Sequence, residues 1–345
     1  MSARIPASTP DILEMLGELP GPGLDALAKA QEREPQLTKP PGALGRLEEI
    51  SAWMSAWQDC HPPRLDTPRC IVFAGNHGVA ARGVSAFPPE VTAQMVANFQ
   101  QGGAAINQLC WAFGAELMVT ALDLDRPTAD FTKDAAMSER DFIDAFCKGM
   151  ASVKPGTDLL AIGEMGIANT SAAAAVAHAL FGGEAQDWTG PGTGVQGQAL
   201  THKAQVIEGA VALHKPGILN PIDALRRLGG RELAAMAGAV LAARFMRVPV
   251  LLDGYVCTAA AAPLHLVHPM ALDHCLVAHA SAEPAHRALC SKLGKAPLLD
   301  LGLRLGEASG AALAIGIVKG AVACHTGMAT FAEAMVSGKG QSETT

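Results

Sequence analysis

Hydrophobic positions along this chain alternate between two arrangements. One is the short unbroken apolar run, at Cys70–Ala74, Leu117–Leu122, Leu159–Ile162 and Val250–Leu252, with a weaker example at Cys275–Ala278. A strand buried on both faces needs such a run, because side chains on either side of the pleat meet packed atoms. The other is helical spacing, which fills the intervals at Pro89–Phe113, Asp141–Met150, Ser171–Leu180, Lys203–His214 and Glu232–Arg244. Strands alternating with helices predict an α/β domain, an open parallel sheet covered by helices on both faces.

The ends of the chain read differently. Residues 1–60 give helix, loop, helix, with Lys39-Pro40-Pro41-Gly42 as a stiff turn and Leu47, Ile50, Met54 and Trp57 at helical spacing after it. From Gly306 to Ala334 the pattern predicts one or two Ala/Gly-rich helices. Residues 1–60 and 306–345 are therefore expected to form a smaller helical unit, and 61–305 the large α/β domain. Ser337–Thr345 reads as a disordered tail.

In open parallel sheets, ligands sit beyond the carboxyl ends of the strands. Those ends carry Asn76-His77, Gly163-Glu164 and Asp253-Gly254. Two segments also share one grammar: Gly163-Glu164-Met165-Gly166 and Gly306-Glu307-Ala308-Ser309-Gly310 each set a carboxylate between glycines ahead of an alanine-rich helix. In small, apolar surroundings a carboxyl pKa rises toward the range of a useful base. Each segment alone reads equally well as a turn with a solvated Glu; the pair favours a site.

Gly192, Gly194 and Gly197 match G-x-G-x-x-G, but no good strand precedes them and no acidic residue follows at the required distance. A dinucleotide site is not predicted. What remains is a surface glycine loop or a cradle for a single phosphate, with Lys203 nearby at an expected helix start. His77, after a strand, is read as a hydrogen-bonded structural residue. The spacing of His265, His268, His274 and His279 suits no metal.

Of the 345 residues 49% are hydrophobic but only 4% aromatic, so the core has to be built from small aliphatic side chains in close contact. A net charge of −7 argues against a nucleic-acid groove. The eight scattered cysteines suggest neither disulfides nor zinc. Acidic residues in the first turns argue against a signal peptide, and charges at Arg244, Arg247, Glu307 and Lys319 interrupt the most apolar windows. These features predict a cytoplasmic protein with no membrane span.

Seven segments occur in an order that carries a resemblance: Lys39–Glu48, Asn76-His77-Gly78-Val79, Gly83–Met95, Gly102–Asn107, Gly163–Thr170, Leu252-Asp253-Gly254 and Arg304-Leu305-Gly306-Glu307. From about Leu37 to Ala334 the chain resembles the nicotinate-nucleotide–dimethylbenzimidazole phosphoribosyltransferase family of cobalamin lower-ligand synthesis. The resemblance implies a Rossmann-like parallel sheet with a small helical unit from both chain ends, a homodimer, and no metal or redox cofactor. It implies transfer of the 5-phosphoribosyl group of nicotinate mononucleotide to 5,6-dimethylbenzimidazole, giving nicotinate and α-ribazole 5′-phosphate with inversion.

By the same resemblance Glu307 is the general base and Glu164 orders the ribose or the leaving ring. Amides near Gly166 and Gly192, with Lys203, hold the phosphate. Phe87, Met95 and Leu305 line the benzimidazole pocket. Some relatives have polar residues at the first two of these positions, and many have Asp where this chain has Asn76, so acceptor preference and the role of that turn stay open. An alternative acceptor base, or a mononucleotide-binding module without chemistry, also fits the residues.

Overall fold

A computed structural model describes residues 4–337. The tail beyond Ser337, expected to be disordered, lies outside the described residues. Five strands form one parallel sheet: β1 (Pro68–Ala74), β2 (Glu116–Ala121), β3 (Leu159–Met165), β4 (Val250–Leu252) and β5 (Cys275–Val277). Their order is β2-β1-β3-β4-β5, a doubly wound arrangement in which the chain leaves β1 to one side and returns to the other. Each apolar run of the sequence is a strand. In β1, β3 and β4 nearly every consecutive residue is buried, so both faces are covered; β2 is half exposed at the edge.

The low aromatic content shows in how the covering helices pack. Helices Glu139–Ser152 and Arg231–Phe245 touch backbone to backbone: a Cβ at Gly149 would collide with the Ala235 carbonyl, and one at Gly238 with that of Phe146. Ala234, Ala235, Ala237 and Ala239 are wholly buried there. Small side chains thus fill the interior by bringing elements closer. The expected helix Pro89–Phe113 is two helices, Glu90–Gln100 and Ala105–Phe113, parted at Gly102, whose φ of +80° ends the first.

The chain divides into Met1–Pro20 with Thr67–Ala314, and Gly21–Asp66 with Ile315–Thr345. The first helix, Thr9–Gly17, was expected in the small unit but counts with the large one, where Ile12, Met15 and Leu16 join the core. Within the small unit Lys39 is buried between Glu34 and Glu48, at 3.0 and 2.7 Å. Arg33 donates to the carbonyls of His325 and Met328, both at 2.9 Å. Ser309–Gly327 is a single helix of 19 residues, long and apolar enough to cross a membrane on length and composition, with half of it buried inside the protein. Glu307 lies before the helix rather than interrupting it, and leaves Lys319 alone within it.

Candidate active site

A cavity of about 450 Å³ opens beyond the carboxyl ends of β3 and β4. Of the eight residues singled out for a site, seven line it: Phe87, Met95, Glu164, Gly166, Gly192, Leu305 and Glu307. The eighth, Lys203, lies just behind its wall.

The two glycine–carboxylate segments interlock. Glu307 N–H donates to the carbonyl of Glu164 at 3.2 Å. A Cβ at Gly163 would collide with the Ala308 amide, and one at Gly306 with the Glu164 carboxyl group. Their common grammar therefore has a packing cause: each turn needs glycine to admit the other. Glu307 and Ala308 both take φ near +61°, a left-handed conformation that costs about 1–2 kcal/mol for an L-residue. Ser309 helps hold it, donating from N and Oγ to the Gly306 carbonyl at 3.0 and 2.7 Å.

Three acids face one another here. Burial pushes Glu307 up from 4.5 to about 7, with the Asp253 charge adding to it. Burial, then Asp253, pushes Glu164 to about 8, against a hydrogen bond from the Asn169 amide to its carboxylate. Asp253 is itself fully buried and raised by that burial.

The amides opening helix Ser309–Gly327 follow directly after Glu307 in the chain. They serve Asp253 instead: Ala311 N–H donates to its Oδ1 at 2.8 Å, and the amides of Ala308 and Gly310 also favour its anion. His279 Nε2 stands 3.5 Å from the same oxygen. Glu307 thus keeps its raised pKa while Asp253 takes the helix-start field.

Gly192 and Arg304 also line the cavity, with Lys203 behind them. The helix carrying Lys203 begins at Gln198, so the lysine sits a turn inside rather than at the start. It is 1% exposed, and its Nζ donates to Thr170 Oγ1 and Gly190 O, both at 2.9 Å. Burial lowers it to about 8, offset in part by Glu283. A Cβ at Gly192 would stand 2.5 Å from Thr170 Oγ1 and 3.1 Å from Lys203 Nζ, so only glycine lets the loop lie over the ammonium. Arg304 Nη1 reaches Gly192 O at 3.2 Å. Thr193 Oγ1 accepts the Ala86 amide at 3.1 Å, joining this loop to the segment that carries Phe87.

His77 does not line the cavity. It pairs with Glu232, both buried, directly beneath Gly166, where a Cβ would come within 3.3 Å of its Nε2. Asn76 donates to Leu124 O at 2.9 Å. Sequence reasoning gave no role to Asp253, His279 or Glu283, which line the cavity. Asp253 and His279 had a signal, each standing just past a strand end.

The cavity thus joins carboxylates at parallel-strand ends, apolar side chains and a glycine loop backed by a buried lysine. A family model described as Phosphoribosyltransferase matches residues 19–336. A Rhizobium etli protein named nicotinate-nucleotide–dimethylbenzimidazole phosphoribosyltransferase is 59% identical over 95% of this chain and 97% of its own. A Ruegeria protein of that name is 60% identical over 95% and 97%. The crystal structure of CobT from Thermus thermophilus superposes with a TM-score of 0.86 at 40% identity, over 91% of this chain and 100% of that one. The chain belongs to the nicotinate-nucleotide–dimethylbenzimidazole phosphoribosyltransferase family.

Proposed function

We propose that this enzyme transfers the 5-phosphoribosyl group of nicotinate mononucleotide to 5,6-dimethylbenzimidazole, releasing nicotinate and forming α-ribazole 5′-phosphate with inversion at the anomeric carbon. One observation carries the reading: Glu307, with a pKa of about 7, shares a cavity with the apolar side chains of Phe87, Met95 and Leu305. One benzimidazole nitrogen attacks the anomeric carbon while the other gives its proton to Glu307. The pyridinium leaves with the electrons of its C–N bond as a neutral ring, so no strong acid is needed. Positive charge on the reacting sugar is favoured by Asp253 and Glu307.

Glu164, at about 8, carries its proton at neutral pH and can both donate to and accept from the ribose hydroxyls or the leaving ring. The phosphate is held by amides near Gly166 and Gly192 with Lys203 behind them. On this reading the sugar lies between the phosphate and the acids. We place the enzyme in the cytoplasm on its sequence features, and as a homodimer on the family resemblance, the latter for sedimentation to check.

The test is incubation with both substrates and identification of the product's anomer by NMR, with Glu307→Gln alongside. Removing a general base lowers the rate about 10²–10⁴-fold, while both substrate affinities hold. A β-anomer sinks the inversion, and a folded variant with ordinary turnover sinks the base assignment.

A further inference from the structure

Glu283 lines the same cavity and is 5% exposed. Its Oε1 accepts the Gly192 amide at 2.9 Å, and its Oε2 has no hydrogen-bond partner among the described residues. The glycine loop threads between this carboxylate and Lys203. A Cβ at Gly190 would collide with Glu283 Oε2, while the Gly190 carbonyl accepts from Lys203 Nζ. The amide assigned to the phosphate is therefore already bound to a carboxyl oxygen of the protein's own, in the field of Lys203 and Arg304.

We propose that Glu283 is an internal competitor for the substrate's phosphate: its carboxylate holds the Gly192 amide, and a phosphorylated ligand has to displace or protonate it to bind. The proposal rests on the reading that Gly192 and Lys203 hold the phosphate. Its consequence is a weaker grip on every phosphorylated ligand, product included, which favours turnover over retention.

The charged and titratable groups facing Glu283 are Lys203, Arg304 and the Tyr255 hydroxyl. His286, three residues past Glu283 in the sequence, is neutral, burial holding it down at about 3. Burial raises Glu283 above the ordinary carboxylate range, with Lys203 opposing. Phosphate binding should therefore take up protons at Glu283. A phosphate's own second ionisation, near pH 6, is common to all variants and cancels in a comparison.

The experiment is calorimetric titration of the full-length wild type and Glu283→Gln with nicotinate mononucleotide and with nicotinate riboside. It is run at about pH 6.5, where Lys203 keeps its charge, in two buffers of different ionisation enthalpy. Removing a like charge should tighten the mononucleotide about tenfold and abolish the extra proton uptake, leaving the riboside unchanged. Glu283→Ala, which also removes the charge, should shift affinity in the same direction and covers a misfolded Gln variant. Unchanged or weaker mononucleotide binding by folded variants overturns the proposal alone. Equal affinity for mononucleotide and riboside in folded Glu283→Gln overturns the phosphate assignment and this proposal together.

Discussion

Replacing Asp253 with asparagine keeps the side chain's shape and its acceptor for the Ala311 amide but removes the charge that faces both Glu164 and Glu307. Glu307 stands at about 7 against an ordinary 4.5, with burial the larger cause and Asp253 the second. Losing the second cause should return less than half of that span, about one pH unit. The acid limb of kcat/KM, which reports the free enzyme's base, should move down by that amount. A base weaker by one unit is also a slower one, so the plateau should fall about threefold on base strength alone. Loss of electrostatic support for the cationic sugar lowers the whole curve without moving its limb, so limb and plateau report separate effects. Stopped-flow or steady-state rates from about pH 5 to 9 give both. A limb that stays put, or moves up, refutes the coupling; a limb that survives in Glu307→Gln shows that another group produces it.

Lys203→Ala should weaken nicotinate mononucleotide by about 1.5–3 kcal/mol and leave dimethylbenzimidazole unaffected, which titration of each substrate checks. In the wild type the same affinity should decline as pH rises through about 8, where Lys203 loses its proton in the free enzyme. Acceptor choice should follow packing against Phe87, Met95 and Leu305, so kcat/KM for dimethylbenzimidazole over benzimidazole should differ by no more than about a few hundredfold; a far larger ratio points to a polar contact. Glu164 binds its proton more tightly folded, at about 8, than unfolded, near 4.5. Its favourable contribution is therefore full below pH 4.5 and is lost as pH climbs to 8, a span worth a few kcal/mol. Melting temperatures should show Glu164→Gln gaining on the wild type across that range, and parallel curves count against it.

The strands were legible in the sequence because a strand covered on both faces tolerates few polar residues, and Cys70–Ala74 or Val250–Leu252 states that requirement within a few positions. Helix boundaries were less secure. The Gly102 break inside Pro89–Phe113 and the start at Gln198 rather than near Lys203 depend on caps and turns that periodicity blurs. The helix Tyr255–Val267, buried almost all round, offers no polar face to mark it.

By itself the sequence determined the alternation of elements, the strand ends that frame the cavity and the two glycine-flanked glutamates, since all of these follow from local spacing and burial. Tertiary structure decided what each charge meets. Asp253 and Ala311 are 58 residues apart, and only the neighbouring of β3 and β4 brings the helix-start amides to Asp253 instead of Glu307. Glu283 and Gly192, 91 apart, meet for the same kind of reason. Hydrogen bonds between distant segments, and the pKa values they set, depend on strand order and on backbone approaches that glycines permit, and no local pattern encodes either.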